Sequence, residues 1–179
     1  MTDYFELFGI SRSLNLSLEM LQQRFYELSR ELHPDRFMRS PESERQKALE
    51  MSSALNDAYR TLKDPIKRAQ YLLSREGFDI GVERSKDVPP ELLEEVFELN
   101  LALEEMRSGD DSARPQLEAA EKNFAAMLEN VDRQLSELFE QYDRSKSRDT
   151  LSAIRGVLNR RKYIQNLVGE VQKTLVPTA

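Results

Sequence analysis

Apolar residues recur at steps of three and four along most of this chain, and prolines cut the pattern into segments. Leu18, Leu21, Phe25, Leu28 and Leu32 form one stripe, and Ala48, Met51, Leu55, Ala58 and Leu62 form a second. Such steps put side chains on one face of an α-helix, whereas a half-buried strand needs alternation with period two. Nothing in the chain suggests a strand, so the expected fold class is all-α. Between the two stripes stands His33-Pro34-Asp35, which holds the chain's only histidine. Pro34 has no backbone N–H and disfavours a helical conformation for His33, so the first helix ends there and the imidazole and carboxylate lie on a loop. Ser40 is placed to cap the next helix and Pro41 suits its first turn. Two helices with matching stripes and a short loop pack as an antiparallel hairpin, with the tripeptide at its tip.

A short fourth helix is predicted over 65–76, capped by Asp64, opened by Pro65 and stopped by Gly77. Residues 77–90 hold two glycines, the Pro89-Pro90 pair and scattered acids without helical period, which reads as a linker. Beyond it the spacing predicts helices at about 91–107, 114–143 and 148–174, the last ended before Pro177. Leu117, Ala120, Phe124, Leu128, Val131, Leu135, Leu138 and Tyr142 line one side of the middle helix. Three such helices with short turns make an antiparallel bundle. The expected organisation is therefore a hairpin domain over 1–76, a linker over 77–90 and a three-helix domain over 91–179.

The net charge of -6 is unevenly spread. Residues 1–76 carry 12 basic and 12 acidic groups, so the excess lies wholly beyond them. Within the C-terminal part, 77–112 counts 3 basic against 11 acidic and 144–173 counts 8 against 2, so an acidic and a basic helix can attract each other across the bundle. The absence of cysteine excludes disulfides, thiol catalysis and thiolate ligation of an iron-sulfur cluster. No apolar run is long enough to span a bilayer, and no basic leader or secretory apolar core opens the chain, so no membrane association and a cytoplasmic location are expected.

Once cores are assigned, some large side chains are left over. In helix 91–107, Leu92, Val96, Leu99, Leu103 and Met106 supply the core stripe. Leu93, Phe97 and Leu101, at i, i+4 and i+8, lie about 100–180° from its centre and make a second apolar ridge, bordered by Glu94 and Glu98. In the last helix Ile154, Val157, Arg161, Ile164, Val168, Val171 and Leu175 trace the expected core stripe, and Tyr163 lies about 130° away, which predicts that it is exposed. A row of exposed apolar groups edged with carboxylates suits partner binding; the alternative is that these side chains cover the hairpin or the linker.

The hairpin resembles the J-domain, the module by which co-chaperones stimulate the ATPase of heat-shock chaperones. The resemblance covers roughly 2–76: Tyr4-Phe5-Glu6-Leu7-Phe8-Gly9-Ile10 as a short first helix, the tripeptide as signature loop, and Leu55 to Pro65 as the end of the third helix. The chain is more specifically similar to the HscB-type co-chaperones of iron-sulfur cluster biogenesis, through Tyr4-Phe5 with Leu7-Phe8-Gly9, His33-Pro34-Asp35-Arg36-Phe37, and Arg68-Ala69-Gln70-Tyr71-Leu72-Leu73 with Gly77. That resemblance implies a rigid, L-shaped monomer without cofactor. Its partners would be a dedicated HscA-type ATPase chaperone and an IscU-type cluster scaffold protein. It implies chaperone binding by His33, Pro34, Asp35, Arg24, Arg30 and Arg36, and scaffold binding by Leu93, Phe97, Glu98, Glu94, Leu101 and Tyr163. Leu101 departs from the family, where its position is often acidic. Gln22, Gln23, Tyr26 and Glu27 fill positions that are basic in generic J-domains, which weakens steering towards an acidic partner and suggests a dedicated one. Arg24 and Arg30 have an alternative role in pairs with Glu27 and Glu31 on the helix surface. Tyr71, Leu72 and Leu73 exceed what the short fourth helix needs and are expected to anchor the C-terminal bundle.

Other classes fit less well. An acid-base pair of His33 and Asp35 would be split by a rigid proline, with no nucleophile elbow or phosphate loop in the chain, and one histidine cannot build a histidine-rich metal site. A nucleic-acid site would rest on Arg160-Arg161-Lys162-Tyr163, a short basic run inside an acidic domain. A J-domain co-chaperone serving a different client is the remaining alternative.

Overall fold

Every regular element is helical in the computed structural model of the chain, which describes residues 2–79 and 88–176. Linker residues 80–87 and Pro177 lie outside the described residues. The chain divides into two units, Met1–Asp79 with Phe139–Ser147, and Ile80–Leu138 with Arg148–Ala179.

In the first unit, helix α1 (Tyr4–Phe8) starts where Asp3 accepts the Phe5 N–H at 2.8 Å. It ends at Gly9, whose φ of 64° is left-handed. Helix α2 (Leu18–Glu31) is capped by Ser17, and helix α3 (Glu42–Leu62) follows a tight 3-10 turn, Pro34–Phe37. Leu21, Leu55, Ala58 and Leu62 are buried between them, and Phe25 stacks on Tyr59 with ring centres 4.2 Å apart. Leu18 and Met51 are exposed although they fall on the predicted stripes, because spacing tells which face is apolar but not how far a neighbour extends along it. Ser40 does not cap α3; Pro41 occupies the capping position without a side-chain bond.

Helix α4 (Pro65–Arg75) begins at Asp64, which accepts the Ile66 and Lys67 N–H groups. Its Arg68 is buried and donates to the carbonyls of Leu62 (2.7 Å) and Leu14 (2.6 Å), tying the end of α3 to the loop between α1 and α2. Tyr71 is engaged within its own unit. Its ring stacks on Tyr4 at 4.4 Å and its hydroxyl accepts the Tyr4 N–H at 2.9 Å, so it holds α1. Asp3 is buried and paired with Arg12 and Arg75. Burial alone would raise its pKa, but the Arg12 hydrogen bond, the Phe5 amide and the Arg12 charge outweigh that and lower it.

The other unit contains helix α5 (Leu93–Arg107), entered through a 3-10 turn at Pro90–Leu92, most of helix α6 (Arg114–Ser145), and helix α7 (Arg148–Leu175). Leu99, Leu103, Leu117, Phe124, Val131, Ile154, Ile164 and Val171 are buried. The last turns of α6 and the turn into α7 belong to the first unit, although the spacing assigns them to the C-terminal domain. The residues that achieve this follow Phe139 and Tyr142, both buried. The Asp143 carboxylate accepts from Ser13 Oγ (2.8 Å), Leu14 N (2.8 Å) and Asn15 N (2.9 Å). Lys146, in a left-handed conformation (φ 51°), donates from Nζ to the Arg12 carbonyl at 2.7 Å.

Candidate functional site

At the hairpin tip, His33 is extended (φ -59°, ψ 131°), as a residue before proline prefers. Its Nδ1 accepts the Asp35 N–H at 3.3 Å, and the Arg36 N–H donates to the His33 carbonyl at 3.0 Å. Nδ1 also lies 3.5 Å from the Asp35 carboxylate, so that edge of the ring is engaged within the turn and Nε2 is on the other edge. The His33 and Asp35 side chains are 59% and 78% exposed, far more than capping a four-residue turn requires. The same end of the hairpin has an open depression of about 400 Å³ lined by Tyr26, Ser29, Arg30, His33 and Arg36. Among the described residues no carboxylate pairs with Arg30 or Arg36, so both guanidinium charges remain uncompensated.

Arg24 is not brought to this cluster. Its Nε donates to the Phe8 carbonyl at 3.2 Å and its Nη1 lies 3.4 Å from Glu27, so it sits over the C-terminal end of α1. A Cβ on Gly9 would come within 2.9 Å of Arg24 Nη2, so glycine there also keeps room for the guanidinium. Tyr26, in contrast, faces the depression, although spacing marked it only as the replacement of a basic residue.

The ridge on α5 is exposed as its spacing predicts: Leu93 56%, Phe97 65% and Leu101 48%, with Glu94 and Glu98 also open to solvent. Val96, Leu99 and Leu103 face inwards. Tyr163 departs from expectation. It is half-buried, and burial, with the negative charge of Glu170, raises its pKa. The apolar stripe on α7 drifts, since its buried residues run through Leu151, Ile154 and Leu158 and then Ile164, Leu167 and Val171. Measured from this later part, Tyr163 is only about 70° from the buried centre. Arg161, on the predicted core stripe, instead reaches Asp132 on α6 at 2.7 Å. Arg160 approaches Glu91 at 3.5 Å, a pairing between the acidic and basic segments, and partly exposed pairs of this kind contribute about 0–1 kcal/mol.

Among the described residues no helix is long and apolar enough to cross a membrane, and no three His, Asp or Glu side chains gather as a metal site. A two-helix hairpin with His-Pro-Asp exposed at its tip, α1 laid across it and α4 behind it, defines the J-domain class. Residues 3–71 match the DnaJ domain model, and residues 88–172 match the model described as HSCB C-terminal oligomerisation domain. The Co-chaperone protein HscB homolog of Aliivibrio salmonicida is 34% identical over 171 residues, covering 96% of this chain and 95% of the relative. The same identity and coverage hold for the HscB homolog of Aliivibrio fischeri strain MJ11. Chaperone HscB from Vibrio cholerae superposes with a TM-score of 0.63 at 31% identity, covering 96% of each chain. Human co-chaperone protein HscB superposes with a TM-score of 0.70 at 26% identity, covering 99% of this chain and 84% of that one. The chain belongs to the HscB family, J-domain co-chaperones of iron-sulfur cluster biogenesis.

Proposed function

We propose that the chain is a monomeric cytoplasmic adaptor that stimulates the ATPase of an HscA-type heat-shock chaperone and presents an IscU-type cluster scaffold to it. The exposed tripeptide carries this reading. His33 offers its Nε2 edge, Pro34 fixes the loop, and Asp35, 78% exposed, pairs with a cation on the chaperone. Arg30 and Arg36 supply positive charge beside them, while Arg24 supports the surface indirectly by holding α1 against α2. Chaperone engagement is assigned to residues 1–76 and client engagement to 91–179, with 77–90 joining them.

The scaffold surface is assigned to Leu93, Phe97 and Leu101 with Glu94 and Glu98; apolar anchors hold and rim charges steer. Tyr163, half-buried, is assigned an edge contact. The decisive experiment measures steady-state ATPase of the chaperone with the purified chain, with and without scaffold. Stimulation by the chain alone, increased further by scaffold but not by an unrelated unfolded polypeptide, supports both assignments. Stimulation increased equally by either polypeptide would make this a co-chaperone for a different client. The description of the model matched by 88–172 favours a second reading, self-association through the α5 ridge. Light scattering separates the two: a dimer that Phe97→Ala returns to monomer would support self-association.

A further inference from the structure

A groove of about 640 Å³ runs between α5 and α6, beside the exposed ridge and sharing Glu98 and Leu101 with it. Its apolar lining includes Leu99, Ala102, Ala120 and Phe124, and the small residues are what keep it open. Glu95, Glu98 and Glu105 stand along its α5 side, and the residues spanned extend over about 15 Å of helix. Among the described residues none of these three carboxylates has an ion-pair partner, whereas Arg161 and Arg160 on α7 are engaged by Asp132 and Glu91. The α6 side offers no cation either: Gln116, Ala119 and Asn123 face the groove. An apolar trough with one-signed, uncompensated charge on its edge is complementary to a basic side chain, whose methylenes can lie on the alanines while its head meets the glutamates.

We propose that this α5–α6 groove receives a short lysine- or arginine-bearing apolar segment of the scaffold protein, so that the client surface continues from the α5 ridge onto α6. The proposal rests on the scaffold reading given above. Leu101 and Glu98 belong to both ridge and groove, so one partner can occupy them together. An extended segment of about four residues matches the groove length. Its partner chemistry is therefore basic and apolar, and Gln116, Ala119 and Asn123 become specificity-determining positions that the ridge alone does not involve.

The test uses the full chain and apo IscU-type scaffold in titration calorimetry. Ala119→Leu fills the trough, Asn123→Arg gives its glutamates a partner within the chain, and Glu95→Gln with Glu105→Gln removes charge while keeping shape. Ala119 and Asn123 are exposed, so melting temperatures are expected to stay near wild type. Each of the three variants is expected to bind scaffold at least tenfold more weakly, and the double glutamine variant is expected to lose part of the salt dependence. Wild-type affinity in Ala119→Leu and Asn123→Arg, with Phe97→Ala impaired, would overturn the groove proposal and leave the ridge standing. Wild-type affinity in Phe97→Ala as well would overturn the scaffold reading itself. Weakening by Ala119→Leu alone, with no effect of charge, would overturn the basic chemistry assigned to the occupant.

Discussion

Phe97→Ala separates a binding surface from a core more sharply than any other single change. A phenylalanine presents about 150–250 Å² of side chain. Phe97 is 65% exposed, which leaves about 100–150 Å² for a partner to cover. At about 25 cal/mol per Å² complete coverage is worth about 2.5–4 kcal/mol. Incomplete coverage, and the Cβ that alanine retains, lower the expected loss to about 2–3 kcal/mol, an affinity reduction of about 30- to 150-fold. Only the already covered third of the ring contributes to folding, so the stability cost is about 1–2 kcal/mol. Titration calorimetry against apo scaffold reads the first quantity and urea unfolding the second. Chaperone ATPase stimulation without scaffold is expected to remain near wild type, because His33, Pro34 and Asp35 lie in the first unit. An affinity within twofold of wild type in a folded variant would refute the assignment of Phe97 as an anchor, and a stability loss above about 4 kcal/mol would mark it as a core residue.

The tripeptide variants His33→Gln and Asp35→Asn are expected to abolish ATPase stimulation while circular dichroism and scaffold affinity stay unchanged; retained stimulation in either would remove that residue from the chaperone contact. Asp143→Ala leaves the Leu14 and Asn15 amides and Ser13 without their acceptor and is expected to cost about 2–4 kcal/mol in urea unfolding, given hydrogen bonds to a charged group in a partly exposed site. An unchanged unfolding midpoint would mean that water replaces the carboxylate at no cost. Asp3 has a lowered pKa, so its contribution to stability is complete above an unfolded-state pKa of about 3.9 and is lost as pH falls through the lower folded value. The stability difference between wild type and Asp3→Asn is accordingly expected to be constant from about pH 7 to 5 and to shrink below about pH 4; a difference independent of pH would show that the charge is not what Asp3 contributes.

The hairpin, its tip and the two faces of α5 were legible because each is set by local spacing: three- and four-residue steps fix a face, and proline fixes an end. Leu93, Phe97 and Leu101 needed nothing more. Tyr163 escaped the same reasoning because one centre was drawn for a 28-residue helix whose apolar side shifts along its length. The contacts that Arg24 and Tyr71 make with α1 were not legible for another reason. Their partners, the Phe8 carbonyl and the Tyr4 ring, are 16 and 67 residues away, and spacing carries no information about tertiary acceptors. Phe139 did leave a signal. It stands next to Leu138 and widens the apolar stripe near the end of α6, where the helix passes from one unit to the other.

The bonds made by Asp143 and Lys146 also set an order of events during biosynthesis. Residues 13–15, α2, α3 and the His-Pro-Asp turn are synthesised early, but the residues that complete their unit, Phe139–Ser147, begin 60 positions after Asp79. At about 5–20 residues per second, that gap lasts several seconds on the ribosome. During this interval the His-Pro-Asp tip can exist before its support does, with the Leu14 and Asn15 amides and the Arg12 carbonyl still bonded to water. A chain cut short anywhere before Asp143 would carry the signature tripeptide on an unfinished unit, so the stability of the J-domain unit in this protein reports that synthesis has passed α6.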